Sequence, residues 1–204
     1  SESETQAIVK LAREQNFLLS IAYHSSRSQN VARYVIYPWA WQDKCGGCDD
    51  DQRQLSPGFN VINELGLDIA EITGTDLGEN YTETGSSYRK GNAHDWLYRE
   101  TGCIQYLIEV GYDPDFDYGN NLLIQGDNLD QVLNTNMDTF FHVLMRAVGD
   151  NDQNIEHNQI KGTVTDATDN SVIKNAVITI PQLEDHITKP RFTDESGFYA
   201  RLLH

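Results

Sequence analysis

At 204 residues the chain is long enough for one substantial core and a small second unit. Its 31 acidic residues against 15 basic ones give a net charge of −16, which opposes binding to nucleic acid and to anionic membrane surfaces, since both need a cationic face. No apolar run reaches membrane-spanning length, and the first residues do not read as a signal peptide.

The opening SESETQAIVKLA reads instead as the capped start of a helix that ends near residues 14–16, with Ile8, Leu11 and Ala12 at helical spacing. It lacks an initiator methionine, so the chain is expected to be a processed or excised piece of something longer. Residues 17–23 (FLLSIAY) are apolar with little alternation, as in a strand of a parallel sheet covered on both faces. His24 follows at once. Residues 34–37 (YVIY) predict a second short strand, closed by Pro38 and Trp39. Residues 41–57 read as a polar loop containing Cys45-Gly-Gly-Cys48. A single C-x-x-C does not complete a four-ligand zinc site, and a redox motif normally opens a helix, so this pair reads as a loop disulfide or two free thiols. Val61, Ile62, Leu65, Leu67 and Ile69 mark a helix over 59–72, weakened by Gly66.

Residues 73–87 are rich in Gly, Thr and Ser, and the polar segment that Gly85 and Gly91 bracket, carrying Tyr88, reads as a loop. Asp95 is placed as the cap of a helical turn through Tyr98. Residues 103–108 (CIQYLI) predict a buried strand that ends at Glu109-Val110-Gly111. A long helix is predicted over 127–148, with Leu129, Val132, Leu133, Met137, Phe140, Phe141 and Leu144 as its apolar stripe. Residues 149–154 have the composition of a linker. Beyond it, residues 160–166, 172–180 and 193–203 read as short strands with turns between them, an all-β pattern. The expectation is α/β, a mixed central sheet flanked by helices, over residues 1–150, followed by a short sandwich-like β module over 151–204.

Two residues stand where strands end. His24 either points into the cleft beyond the carboxyl ends of the strands or is a core histidine with its nitrogens satisfied. Glu109 either does chemistry in that cleft, or partners a lysine, or is an edge residue where its strand leaves the core. A neutral imidazole is a good zinc ligand, a nearby glutamate can take a proton from a bound water, and a tyrosine on a glycine-flanked loop can close over a substrate. No His-x-x-Glu and no His-Glu-x-x-His occurs anywhere in these residues.

The ordered combination of a helix beginning SExET, an apolar strand ending in His24-Ser25, a Tyr-Pro-Trp, then Tyr88, Asp95-Trp96 and Glu109 resembles the C-terminal half of the catalytic domain of zinc carboxypeptidases, over residues 2–148. The resemblance implies a carboxypeptidase-like fold with its N-terminal half missing. It implies His24 as one zinc ligand, in a family that uses two histidines and a glutamate, and Glu109 as the general base. It implies Tyr88 as the loop tyrosine that contacts substrate, and His94 and Asp95 as walls of the pocket for the C-terminal side chain. The segment from Ile160, with Gly162-Thr-Val-Thr-Asp166 and Thr193-Asp-Glu-Ser-Gly197-Phe198, is similar to the transthyretin-like regulatory domain that follows the catalytic domain in that family.

The same resemblance implies a parent protein that removes C-terminal residues from peptides or proteins, with zinc as its cofactor and with secretion or a periplasmic location. This chain alone is expected to hold no catalytic zinc and to be inactive unless the missing N-terminal half is supplied. The absent His-x-x-Glu motif carries that expectation. It also leaves a second possibility, a non-catalytic binding or scaffold protein on the same fold. Trp39-Ala40-Trp41 stands where the family's acidic marker of a basic-residue pocket would be, which argues against lysine or arginine preference.

Overall fold

A computed structural model of the chain describes residues 2–25, 34–38, 40–42, 53–76, 83–86, 92–110, 127–149, 159–183 and 188–203. The first element is helix α1 (Ser3–Glu14). Its N-cap is Glu2, and that side chain makes no capping bond, so the helix begins without the expected side-chain cap. The acid that complements the helix dipole is Glu4, in the first turn.

The central sheet comprises four strands, β1 (Leu19–Ser25), β2 (Tyr34–Tyr37), β5 (Glu83–Ser86) and β6 (Ile104–Val110), in the spatial order β1-β6-β2-β5. It is mixed: β1 runs parallel to β6, β2 antiparallel to β6, and β5 parallel to β2. Two expectations change here. First, β1 lies at one edge among the described residues and is only half-buried, not covered on both faces. Second, Gly85 belongs to strand β5, because a polar Glu-Thr-Gly-Ser stretch gains its hydrogen bonds from the neighbouring β2 rather than from its own propensity. The segment read as one polar loop also contains a short hairpin of β3 (Ala40–Gln42) and β4 (Arg53–Leu55). Cys45 and Cys48 fall outside the described residues.

The core forms between this sheet and helix α2 (Phe59–Asp76). Val61, Ile62, Leu65, Ile69 and Ala70 pack on Val35, Tyr37, Ile104, Tyr106 and Ile108. β6 alternates as a pleated strand should: Ile104, Tyr106 and Ile108 are buried toward α2, whereas Gln105, Leu107 and Glu109 are half-buried. Gly66 keeps this contact close. A Cβ there would sit 3.2 Å from Tyr37 Cδ1 and 3.4 Å from Tyr106 Cε1. The Tyr106 hydroxyl, inside the core, donates to the Ile62 carbonyl at 2.8 Å, so its polar end is satisfied. Leu67, read as part of the stripe, is exposed.

Helix α3 (Ala93–Thr101) buries Leu97 beside Ala12 of α1 and Cys103. Helix α4 (Asp127–Val148) has the predicted bounds but not the predicted facing. It buries Thr135, Thr139, Val143 and Arg146 and exposes Leu133, Met137, Phe140, Phe141 and Leu144.

Beyond α4, β7 (Gln159–Thr163) pairs with β10 (Phe198–Leu202), and β8 (Val177–Ile178) with β9 (Arg191–Phe192), both antiparallel. The long strand expected over 172–180 is cut to β8 and a lone bridge between Thr165 and Val172. Asn175 between them adopts φ 59°, which breaks an extended run. This segment lies against the helices. Asn16 Nδ2 donates to the Phe192 and Phe198 carbonyls at 3.2 and 2.8 Å, and Arg146 Nη2 donates to the Leu203 carbonyl at 3.0 Å.

Candidate active site

Parallel pairing brings the carboxyl ends of β1 and β6 to the same edge of the sheet, and the register makes His24 and Glu109 direct neighbours. Residues opposite one another in register point to the same face. The His24 Nδ1 lies 4.0 Å from Glu109 Oε1, with the imidazole 46% and the carboxylate 18% exposed. That spacing is beyond a direct hydrogen bond and within reach of a bridging water. Burial raises the Glu109 carboxyl above the usual glutamate range, and the His24 charge offsets part of this. A carboxylate poised in that way is suited to accept and return a proton. Of the two readings of each residue, the structure therefore gives Glu109 an imidazole neighbour, and it leaves His24 half in solvent at the strand end, not in the core.

His94 and Asp95 form a second pair, in the first turn of α3. Both are buried, and His94 Nε2 lies 3.7 Å from Asp95 Oδ1. Burial depresses the His94 imidazole to about 4, so it is neutral at physiological pH and the contact is not an ion pair there. Asp95 is not the helix cap. Asn92 occupies that position, with no side-chain capping bond, and Asp95 stands within the first turn, where a carboxylate complements the helix dipole. Tyr88 lies outside the described residues. The pairing of His24 with Glu109 was reachable from sequence through strand ends alone, whereas Ser20 and Gln105, on the same strand faces, carried no signal beyond alternation.

A family model for zinc carboxypeptidases matches residues 1–139. The chain belongs to the zinc carboxypeptidase family. No curated protein matches it. The mixed α/β architecture, a central sheet with flanking helices, is consistent with a carboxypeptidase-like fold. The family implies zinc, and the donor set tests that implication. Among the described residues, no three His, Cys, Asp or Glu side chains come together where a metal ion could be held. A catalytic zinc centre takes three protein ligands and a water. One imidazole beside one carboxylate falls short of that, so the described residues do not by themselves fit the metal of a zinc carboxypeptidase. Among the described residues, no helix is long and apolar enough to cross a membrane.

Proposed function

We propose that this member of the zinc carboxypeptidase family is, by itself, a carboxypeptidase-fold unit that binds peptide or protein C-termini without hydrolysing them. The donor count carries the reading: among the described residues no three metal-binding side chains come together where catalysis needs three, and no His-x-x-Glu occurs in the sequence. His94 and Asp95 serve here as polar walls of the pocket for the C-terminal side chain, and Tyr88 as a loop contact to the terminal carboxylate. Residues 151–204 act as a transthyretin-like, non-catalytic module, a reading supported by the antiparallel pairs β7–β10 and β8–β9.

A second reading has its own observation. His24 and Glu109 sit in register at 4.0 Å, the arrangement expected of a metal contact beside a proton carrier. In that reading the other two ligands come from polypeptide outside the described residues. That polypeptide would also cover the apolar face that α4 leaves in solvent, since an exposed stripe of this kind marks a surface that packs against another chain or segment.

The test uses the purified chain and a pair of synthetic peptides, one with a free C-terminus and one amidated. Calorimetry is expected to show binding of the free-acid peptide only, and mass spectrometry to show no shortened product with or without added zinc. Release of the terminal residue by this chain, abolished in Glu109→Gln with the fold intact, would overturn the first reading in favour of the second.

A further inference from the structure

The last carbonyls of a helix have no partner within it and must find one elsewhere. In α3 two of them are met by residues roughly ninety positions away. The Tyr98 carbonyl accepts from the Gly102 N–H and from Arg191 Nη2, both at 3.0 Å. The Arg99 carbonyl accepts from the Lys189 N–H at 2.9 Å. The next residue, Glu100, has a side chain only 6% exposed. Its carboxylate accepts from Lys189 Nζ at 2.6 Å, with Arg13 of α1 and Arg99 each at 3.4 Å.

Arg191 makes the most of this place. Its other terminal nitrogen, Nη1, donates to the Lys189 carbonyl at 3.0 Å, and the guanidinium lies over the Tyr98 ring, 5.7 Å from its centroid. Gly102, at φ +82°, leaves the room, because a Cβ there would overlap the guanidinium. A planar fork can serve two carbonyls and stack on a ring at once, and a cation at a helix C-terminus is favoured by the dipole. The far side of Tyr98 is also held, since its hydroxyl accepts from the Gly58 N–H at 3.0 Å.

These contacts converge on one helix. Its first turn holds His94 and Asp95, and its last turn leads through Gly102 and Cys103 straight into β6, the strand that carries Glu109. We propose that Arg191 is a positioning residue for the candidate site: from the β segment it caps α3 and, with Lys189, fixes where that helix buries His94 and Asp95. The part concerning the site rests on the pocket-wall reading of His94 and Asp95 given above; the capping part does not.

The buried imidazole reports the position of α3. Asp95 is the carboxylate within 4 Å of it among the described residues; from α1, Arg13 lies over the Trp96 ring, 5.6 Å from its centroid, and β6 carries its carboxylate, Glu109, near the far end. Histidine NMR titration of the full chain, with the His94 resonance assigned through His94→Gln, is expected to place it near 4. In Arg191→Ala, with circular dichroism unchanged, it is expected to rise by about one pH unit or more toward the solvent value, as the helix end loosens and water reaches the ring. Arg191→Lys is expected to move it in the same direction by less. Lys174→Ala, which removes an exposed ion pair with Glu195 inside the β segment, is expected to leave it in place. An unmoved His94 in folded Arg191→Ala overturns the proposal. If that variant does not fold, Arg191→Lys carries the test, and an unmoved His94 there overturns it equally. Absence of peptide binding by the unaltered chain would remove the function proposed above and leave the capping of α3 standing.

Discussion

Helices α2 and α4 pack against each other and both lie along the central sheet, yet they present opposite faces to the interior. α2 buries Val61, Ile62, Leu65 and Ile69. α4 buries Thr135, Thr139 and Arg146 around Val143, and turns Leu133, Met137, Phe140, Phe141 and Leu144 outward. The neighbours differ. α2 sits over β2 and β6, where Tyr37 and Tyr106 offer a broad apolar surface. α4 runs beside β1, which has one partner strand among the described residues. There it meets Asp68 of α2 through His142 at 3.5 Å and Tyr23, whose hydroxyl donates to the Asn136 carbonyl at 3.4 Å. Apolar periodicity tells which face a helix is able to bury, and the surroundings decide which face it does bury.

The sharpest way to break this contrast is a matched pair of truncations. Leu65→Ala removes a side chain from the packed face of α2 and is expected to cost about 2–5 kcal/mol. Phe140→Ala removes a larger side chain from the outer face of α4 and is expected to change stability by no more than about 0.5 kcal/mol. Urea denaturation of both variants measures the difference. Equal losses would mean that the outer face of α4 is packed in solution and that the contrast is false.

The next effect belongs to the polar anchor of α4. Arg146 is 5% exposed and its guanidinium donates to the Leu203 carbonyl. Burial lowers its pKa, while the nearby Glu64, Tyr106 and Asp68 act to keep it charged. Arg146→Met keeps much of the apolar stem and removes a charge-assisted bond, so a loss of about 1.5–3 kcal/mol is expected. The corresponding change on α2 is smaller. Gly66→Ala would gain about 1 kcal/mol of helix propensity, but its Cβ would sit 3.2 Å from Tyr37 Cδ1, and that ring is tied through its hydroxyl, which donates to Asn63 Oδ1 at 3.1 Å. Overpacking of this kind costs about 1–3 kcal/mol, which leaves a net loss of about 1 kcal/mol. A stabilised Gly66→Ala would show that the α2 contact is looser than the Tyr37 and Tyr106 distances imply.

How much of this could be read from the chain depends on where each determinant lies. The bounds of α4 and β2 coincide with their apolar runs, because local pattern and final structure agree there. The meeting of His24 and Glu109 was reachable because each closes an apolar strand, and parallel neighbours end together. The strand at 83–86 was not legible, since its polar residues pair only because β2 is beside them. The capping of α3 by Lys189 and Arg191 was out of reach for a similar reason: its partners are distant in sequence and nothing around Tyr98 announces them. The inverted facing of α4 is not legible in its apolar stripe, because the burial of Thr135 and Thr139 depends on the neighbours that α2 and β1 supply.

Those threonines set the smallest effect and the finest test. The Thr139 hydroxyl donates to the Thr135 carbonyl at 3.1 Å, one turn back on the same helix. Such a bond satisfies a buried hydroxyl locally and joins α4 to nothing else. Thr139→Val keeps the branched shape, and the Thr135 carbonyl retains its ordinary helical partner, so no buried group is orphaned. Stability is therefore expected to change by less than about 0.5 kcal/mol in the same urea experiment. A loss above about 1.5 kcal/mol would mean that the hydroxyl holds α2 or β1 directly. The buried side of α4 would then be a specific polar joint, and its apolar outer face would follow from that joint rather than from a missing neighbour.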